Sequence, residues 1–301
     1  MIIKTIGVVG CGLMGGGITQ VAAQNGYCTI VREPSDELLE KGIGRIDSIL
    51  AGNVAKGKIT EDGKAAVLGR ITGTTEFAAF GTCDLGMDRL DGKLELAALA
   101  ECDLVIEAVT ENADGKKEVF RTLDGIAPPH AILASNTSSI SITELGAVTG
   151  RPSQVLGLHF FNPVPVMKLI EMVIGLETSA ETVAVTRAFG ESLGKQVIEV
   201  KDTPGFIVNY LLIPYLLDAV RLVETGVATR EDIDTGMVLG CSHPLGPLKL
   251  LDFIGLDTTL YIADVLYDAF RTDRYAAPPL LRKMVAAGKN GRKSGEGFYK
   301  Y

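Results

Sequence analysis

The segment Gly10-Cys11-Gly12-Leu13-Met14-Gly15 is the most informative part of this chain for its fold. It follows the apolar run at residues 6–9 directly and opens a helical pattern. A strand, a glycine loop and a helix in this order are the fingerprint of a dinucleotide-binding unit. Gly10 permits the tight turn, Gly12 lets the backbone approach a pyrophosphate, and Gly15 allows the helix to pack closely on the strand. The positive end of the helix then faces the phosphates.

An acidic residue, Glu33, follows the second predicted strand at residues 29–31. It stands 18 residues after Gly15, which is about the distance at which an acidic group meets the adenosine ribose. Its carboxylate would accept hydrogen bonds from ribose hydroxyls and repel a 2′-phosphate, so the sequence favours NAD over NADP. The neighbouring Arg32 leaves NADP open, because an arginine here can accommodate that phosphate.

The first 200 residues alternate short β-branched runs with longer helical patterns, which indicates an α/β class and a Rossmann-like parallel sheet. Further strands are predicted at residues 104–108, 132–134 and 155–158, and antiparallel edge strands at 168–174 and 196–200. After Lys201 the strand patterns end. Helices are predicted at residues 205–224, 230–239, 247–270 and 279–287, with Thr203 as the N-cap of the first. The expected domains are therefore 1–200, which binds the dinucleotide, and 201–301, which is all helical.

One segment, residues 75–100, is too long for a simple connection. Cys83-Asp84-Leu85 in it is echoed by Cys102-Asp103-Leu104. A short local duplication would explain this repeated tripeptide, and the alternative is that the match arose by chance. We expect an accessory excursion at the edge of the sheet.

Composition limits the partners of the chain. It has 29 Lys and Arg against 37 Asp and Glu, so no global basic field attracts nucleic acid or anionic lipid. A polyanionic ligand must therefore meet a local site. The five cysteines have no C-x-x-C pair and no metal-like spacing, which indicates reduced thiols in the cytoplasm. No uncharged stretch approaches the roughly 18 residues that a membrane helix requires.

A candidate acid–base pair follows from the three histidines. His159 comes at the end of the predicted strand 155–158, at the sheet edge where open α/β folds bind ligands. The chain then turns and returns through a strand that carries Glu171 between apolar residues. Folding back brings Glu171 beside His159, where a carboxylate fixes the imidazole tautomer and stabilises the imidazolium. The alternatives are a core histidine bonded to backbone and a solvated strand charge.

Two other polar residues stand in unusual places. Ser138 lies in the run 135–139 just after a predicted strand, where it either serves the nicotinamide end of the site or belongs to a helix cap. Asn209 lies among apolar residues in the first turn of a predicted helix, a poor place for asparagine. A hydrogen-bonding role of Asn209 at the site would explain why asparagine stands there.

These residues belong to longer strings that resemble the L-3-hydroxyacyl-CoA dehydrogenase family and, within it, the single-function bacterial 3-hydroxybutyryl-CoA dehydrogenases. The strings are residues 10–18, 134–139, 158–163, 201–209, 231–234 and 291–299. They span nearly the whole chain in family order, which makes the resemblance far more specific than the glycine loop alone.

The resemblance implies a Rossmann-like domain joined to a helical domain that forms a homodimer, with NAD as cofactor and an acyl-CoA substrate in the cleft between the domains. It implies that His159 is the acid and base at the 3-oxygen and that Glu171 orients it, while Ser138 and Asn209 bind the reacting end of the substrate. The implied NAD contacts are Gly10, Gly12, Leu13, Met14, Gly15, Glu33, Glu111, Lys116, Ser138, Asn162 and Lys293. Lys56 is the implied coenzyme A contact, and a local cation suits its phosphates.

The chain departs from the family at two of these places. Glu33 stands where the family usually has Asp, and Ile49 replaces a serine that helps to hold coenzyme A in some members. Two other functions stay open: an NAD-dependent dehydrogenase of a free sugar acid such as L-gulonate, and a non-catalytic NAD-binding protein. Lys56 favours coenzyme A over the first, and the set of His159, Glu171, Ser138 and Asn209 argues against the second.

Overall fold

The computed structural model describes residues 1–80 and 102–301. The chain divides into two units, Met1–Asp202 and Thr203–Tyr301. No helix within the described ranges is long and apolar enough to cross a membrane.

Unit 1 is built on an eight-stranded sheet with the strand order β3-β2-β1-β4-β5-β6-β7-β8. The strands are β1 Thr5–Val9, β2 Cys28–Arg32, β3 Ile71–Thr74, β4 Leu104–Glu107, β5 Ile132–Ser135, β6 Val155–Phe160, β7 Leu169–Ile174 and β8 Gln196–Lys201. Strands β1 to β6 are parallel, β7 is antiparallel to β6, and β8 is parallel to β7. The strand order reverses between β1 and β4, so their carboxyl ends border the crevice where such sheets bind ligands. The predicted Rossmann-like fold class is confirmed.

The helices of unit 1 are α1 Leu13–Gln24, α2 Asp36–Ala55, α3 Glu61–Leu68, α4 Ala113–Ile126, α5 Ile142–Gly146 and α6 Ala180–Ser192. Most of them begin at a side chain that accepts a hydrogen bond from an amide of the first turn, and these N-caps are Ser35, Thr60, Asn112, Ser141 and Ser179. Such caps satisfy amides that have no partner inside the helix. Helix α1 is different, because its N-cap is Gly12.

The edges of the sheet differ from the prediction. Strand β3 was not predicted, because its sequence Ile-Thr-Gly-Thr is short and contains a glycine. A Cβ at Gly73 would lie 2.9 Å from side-chain atoms of Leu39 and Ile43, so the strand needs glycine to approach α2. Strand β8 is parallel to its neighbour rather than antiparallel, because α6 makes a crossover between β7 and β8. The segment 75–100 begins with a 3₁₀ turn at Phe77–Phe80, and its remainder lies outside the described residues.

Unit 2 consists of α7 Val208–Glu224, α8 Arg230–Cys241, α9 Pro247–Ile254, α10 Leu256–Phe270 and α11 Pro279–Ala286. Thr203 is not the N-cap of α7, and that prediction is wrong. Gly205 and Phe206 have φ values of 78° and 52°, which are outside the helical range, so the helix begins only at Val208. The predicted helix 247–270 is two helices, because Gly255 has φ 106°.

The C-terminal segment of unit 2 is held by a buried carboxylate. Asp252 accepts the amides of Phe298 and Tyr299, both at 2.8 Å. A Cβ at Gly297 would lie 2.0 Å from an Asp252 carboxylate oxygen, and a Cβ at Gly291 would lie 2.2 Å from the Asp252 carbonyl oxygen, so neither position has room for a side chain. Burial raises the pKa of the Asp252 carboxyl even though these amides lower it.

Candidate active site

The glycine loop after β1 has a backbone that depends on glycine at two positions. Gly10 has φ 100°, and its amide donates to the carbonyl oxygen of Arg32 at 2.8 Å, which ties the ends of β1 and β2 together. A Cβ at Gly15 would lie 1.8 Å from the Gly10 oxygen. Any side chain at Gly15 would therefore push α1 away from the loop.

The same loop leaves space for a pyrophosphate. A Cβ at Gly12 would meet no protein atom within 4 Å, so packing within the described chain does not account for glycine at this position. Helix α1, which lies wholly in the described part, begins without a capping side chain and has no acidic residue in its first turn. Its first amides and its positive end remain available to an anion. The residues of this loop fit a dinucleotide.

Arg32 and Glu33 at the end of β2 are held in different ways. A Glu33 carboxylate oxygen accepts the amide of Cys11 in the glycine loop. Arg32 donates from Nε to the Thr75 oxygen at 3.2 Å, and its guanidinium lies 4.1 Å from the centre of the Phe77 ring. These contacts use one of the five N–H donors of Arg32 and one face of its guanidinium, so the charge of Glu33 is the feature that favours NAD.

His159 and Glu171 lie directly opposite each other in the antiparallel pair β6–β7. His159 Nδ1 is 2.7 Å from Glu171 Oε2, and the two side chains are 8% and 0% exposed. An ionised carboxylate only accepts, so Nδ1 carries the proton and Nε2 is the basic nitrogen of the neutral ring. The structure thus brings together the two residues that were predicted to meet.

The ends of β4 and β5 are joined by a buried ion-pair network, which consists of Glu107, Lys116, Glu111 and the hydroxyl groups around them. Lys116 Nζ lies 2.6 Å from Glu107 Oε1, 3.2 Å from Glu111 Oε2 and 3.3 Å from the Val109 oxygen. Three acceptors match the three ammonium donors. Lys116 was expected to contact NAD, but its side chain is 1% exposed and turned into the protein. This placement does not support a direct contact.

Glu111 connects this network to the run 135–139. Its Oε1 atom accepts from Thr137 Oγ1 at 2.5 Å, from the Ser138 amide at 2.9 Å and from Ser139 Oγ at 3.1 Å. Burial acts to raise the pKa of the Glu111 carboxyl, but Lys116 and these donors outweigh it and hold the pKa below its usual value. Ser138 is therefore placed against Glu111 at the carboxyl edge of the sheet.

The run 135–139 does not cap the next helix. Helix α5 takes Ser141 as its N-cap. Within the run, Asn136 Oδ1 instead accepts the amide of Phe160 at 2.9 Å, which joins the run to the strand of His159. The side chains of Ser135, Thr137 and Ser139 donate to Glu107 and Glu111 rather than capping the helix.

The remaining expected site residues lie further apart in the chain. In unit 1, Asn162 is exposed on the turn after β6, and Lys56 is exposed at the end of α2. Ser48, next to Ile49, donates its hydroxyl hydrogen to the Gly44 oxygen at 2.8 Å, so that hydrogen is used within α2. In unit 2, Asn209 is buried in the first turn of α7, and Lys293 forms an ion pair with Asp257 at 2.5 Å.

Glu107 was not predicted as a site residue from the sequence. It is fully buried, and its second oxygen accepts from Ser135 Oγ at 2.7 Å. Its sequence context was informative, because it follows the apolar residues Leu104-Val105-Ile106 in a buried strand. A charge inside such a run is the same pattern that identified Glu171.

A Rossmann-like sheet with this glycine loop, an acidic residue after β2 and a buried His–Glu pair at the same edge defines the class of NAD-dependent dehydrogenases. The NAD binding domain of 3-hydroxyacyl-CoA dehydrogenase matches residues 5–87 and 83–203, and the C-terminal domain of that enzyme matches residues 205–301. The chain belongs to the 3-hydroxyacyl-CoA dehydrogenase family. The two N-terminal matches overlap at 83–87, which contains the echoed Cys83-Asp84-Leu85.

Individual relatives are similar over their whole length. The chain is 48% identical over 295 residues to a probable 3-hydroxybutyryl-CoA dehydrogenase of Deinococcus radiodurans, covering 98% of this chain and 99% of the relative. Among solved structures, Mycobacterium tuberculosis FadB2 has a TM-score of 0.92 with 46% identity and covers 100% of both chains. The (S)-3-hydroxybutyryl-CoA dehydrogenase PaaH1 from Ralstonia eutropha has a TM-score of 0.89 with 45% identity and covers 99% of both.

Proposed function

We propose that this chain transfers a hydride between NAD(H) and C3 of a (3S)-3-hydroxyacyl-CoA or 3-ketoacyl-CoA, with 3-hydroxybutyryl-CoA and acetoacetyl-CoA as the preferred pair. The buried His159–Glu171 pair at the ligand-binding edge of the sheet carries this proposal. The names of the relatives from D. radiodurans and R. eutropha support the short-chain substrate.

In the oxidative direction, His159 Nε2 takes the proton of the 3-hydroxyl group. Glu171, fixed opposite by the strand register, stabilises the imidazolium that forms. In the reductive direction the same imidazolium returns the proton to the 3-oxygen. Bound NAD supplies the hydride acceptor, and NADH supplies the donor. A base held in this way contributes about 10²- to 10⁴-fold to the rate.

NAD is held by the loop from Gly10 to Gly15 in this proposal, with the backbone at Gly12, Leu13 and Met14 facing the pyrophosphate and Glu33 facing the ribose. The open space at Gly12 and the uncapped start of α1 support it. Glu111, Asn162 and Lys293 are the further proposed contacts. Lys116 acts through Glu111 rather than on NAD, because its donors are used inside the protein.

Ser138 and Asn209 are the proposed hydrogen-bonding partners of the reacting end of the substrate, and Lys56 is the proposed coenzyme A contact. The Ser138 hydroxyl group is 3.4 Å from Glu111 Oε1, which orients it at the carboxyl edge. Lys56 is exposed at the end of α2, where it can meet a phosphate.

The chain is proposed to be a cytoplasmic homodimer that associates through unit 2. Leu216 and Leu217 of α7 cannot contribute to this association, because they are buried in the core of unit 2 itself. The apolar residues that remain exposed on unit 2 include Leu211, Leu222, Val227 and Leu239. They support a partner for this unit, because a lone surface leucine is ordinary but several on neighbouring elements favour an interface.

One assay tests the function and its rivals. NADH absorbance is followed with acetoacetyl-CoA, with a longer 3-ketoacyl-CoA, and in the other direction with L-gulonate and NAD. We expect the highest kcat/KM for acetoacetyl-CoA. Faster turnover of L-gulonate would replace the proposal with the sugar-acid function, and NAD binding without any turnover would indicate a non-catalytic protein.

A further inference from the structure

The turn that joins the strands of His159 and Glu171 is held by a lysine from elsewhere in the chain. Lys195 lies between α6 and β8, and its ammonium group donates to the carbonyl oxygens of Val164 at 2.5 Å and Met167 at 2.6 Å. These acceptors are 31 and 28 residues away in sequence. The ammonium group therefore binds the turn 161–168 from a segment that is distant in sequence.

A lysine ammonium group is energetically unfavourable at this buried position. It is only 9% exposed, and no carboxylate lies within ion-pair distance of it among residues 1–80 and 102–301. Burial lowers the pKa of its ammonium group, which reflects the loss of water around the charge. Burying a cation costs several kcal/mol unless its partners compensate. An apolar side chain would fill the same space without that cost. The presence of lysine therefore indicates that its N–H donors are needed at the turn.

The prolines of the turn explain why it needs a donor from outside. Pro163 and Pro165 have no N–H group, so the turn is short of internal donors. The amides of Val166 and Met167 both donate to the Pro163 oxygen, at 2.9 and 3.0 Å. The carbonyl oxygens of Val164 and Met167 accept hydrogen bonds from the Lys195 ammonium group instead.

The other side of the turn packs against the helix of the glycine loop. Val164 is 2% exposed, and a Cβ at Gly17 in α1 would lie 2.9 Å from its Cβ atom. The turn is thus fixed between α1 on one side and the Lys195 ammonium group on the other. It carries Asn162, a proposed NAD contact, three residues after His159.

We propose that Lys195 is a positioning residue for hydride transfer, which holds the turn 161–168 so that Asn162 and the end of β6 keep their place beside the glycine-loop helix. It acts through the turn and touches neither substrate nor cofactor. This inference rests on the proposed function of His159 and Asn162.

The test compares Lys195→Met, which keeps the length but removes the donors, with Lys195→Arg, which keeps charge and donors. Lys4→Met is the matched control, because Lys4 is an exposed lysine of unit 1 outside the site. Small misplacements of reacting groups can cost up to about 10²-fold, so we expect Lys195→Met to lower kcat for acetoacetyl-CoA reduction by about 10- to 100-fold. Lys4→Met should stay within roughly threefold of the unchanged chain, as expected of a surface substitution away from the site. Lys195→Arg keeps a cationic donor at the turn and should lose less kcat than Lys195→Met.

Amide hydrogen exchange gives a readout that needs no cofactor. In Lys195→Met the amides of Val166 and Met167 should exchange at least about tenfold faster, while the core strands β4 and β5 stay protected. A merely stabilising lysine would lower the melting temperature without this local change. If Lys195→Met does not fold, Lys195→Gln replaces it. Its amide nitrogen is one bond closer to the backbone and uncharged, so we expect weaker bonds to the two carbonyl oxygens and a smaller change in the same direction.

Unchanged exchange of the turn, or unchanged kcat in a folded Lys195→Met, would overturn the proposal. The two failures are separable. If the unchanged chain does not reduce acetoacetyl-CoA, the proposed function fails. If it does and the Lys195 variants behave like Lys4→Met, only the positioning role fails.

Discussion

The Glu171 carboxylate lies 2.7 Å from Nδ1 of His159, on the strand position directly opposite it. This contact sets which nitrogen of the ring faces the chemistry. With Nδ1 bound to a buried acceptor, Nε2 is the nitrogen that gains and loses a proton. The orientation of the base is therefore a property of the β6–β7 register.

Replacing His159 by alanine should lower kcat in both directions by about 10²- to 10⁴-fold, because a positioned acid–base contributes that much. NADH binding, measured by its fluorescence, should change little, since the glycine loop is untouched. Steady-state kinetics with acetoacetyl-CoA and NADH provides the measurement. If His159→Ala kept most of its turnover, the mechanism would have to be abandoned.

Replacing Glu171 by glutamine keeps the side-chain shape but removes the charge that stabilises the imidazolium. We expect a large fall in kcat with KM for acetoacetyl-CoA changed much less, because the charge matters most when the ring is protonated. Glu177→Gln is a suitable control, since Glu177 is exposed in the turn after β7. Equal activity of the two variants would contradict the role of Glu171.

Replacing Glu33 by serine should reduce the preference for NAD over NADP, because it removes the charge that opposes a 2′-phosphate. We expect the ratio of kcat/KM values for the two cofactors to fall by at least about tenfold, which is a free-energy change of about 1.4 kcal/mol. Glu33→Asp, which keeps the charge, should retain the preference. Equal efficiencies already in the unchanged chain would disprove NAD selectivity and would draw attention to Arg32.

Replacing Lys116 by methionine should destabilise unit 1 strongly. It leaves the fully buried carboxylate of Glu107 and the partly buried carboxylate of Glu111 without their cation, and breaking a buried pair such as Lys116–Glu107 costs about 3–5 kcal/mol. Urea unfolding at pH 7 measures the loss. Replacement of Lys117, whose ion pair with Glu144 is partly exposed, should cost under about 1 kcal/mol and serves as the comparison.

The same variant should respond differently to pH. In the folded chain the pKa of Glu111 is lowered, so its contribution to stability is present above the unfolded-state pKa and is lost as the pH falls through the folded value. Without Lys116 this contribution is missing at pH 7. The difference in unfolding free energy between the two proteins should therefore shrink as the pH is lowered from the usual glutamate pKa, about 4.3, through the lower folded-state value. A difference that stays constant over this range would show that Lys116 does not act on Glu111.

A glutamate at Leu211 should weaken self-association if unit 2 forms the dimer interface. Leu211 is 58% exposed on α7. Light scattering at micromolar concentration should show a dimer for the unchanged chain and a smaller average mass for Leu211→Glu. Leu176→Glu, at an exposed leucine of unit 1, should remain dimeric; a monomeric unchanged chain would refute the interface.

The sequence alone was enough for those features that short segments encode. Gly10 and Gly15 in the loop are required by local backbone geometry, and a steric requirement of this kind can be read from six residues. The buried strands β1, β4, β5 and β6 are apolar runs, so they were found at nearly their observed positions. The resemblance to a family added roles for individual side chains, and these stay predictions until they are tested.

Short-range patterns were insufficient where a residue's conformation depends on distant packing. Strand β3 exists because Gly73 lets it approach α2, and the start of α7 is delayed by the positive φ values of Gly205 and Phe206. Neither effect alters the periodicity of apolar residues. Propensity and periodicity therefore placed the helices but missed this strand and misplaced the first cap.

The contacts between charged side chains could be seen only in the folded structure. The sequence shows Glu107, Lys116 and Lys195 as three charged residues, but it does not show that two of them pair in the core or that the third clamps a turn 28 residues away. Such contacts arise where strand order and crossovers bring distant segments together. A buried charge is tolerated only when those segments supply its partners, so its role is defined by the assembled fold and not by its neighbours in the chain.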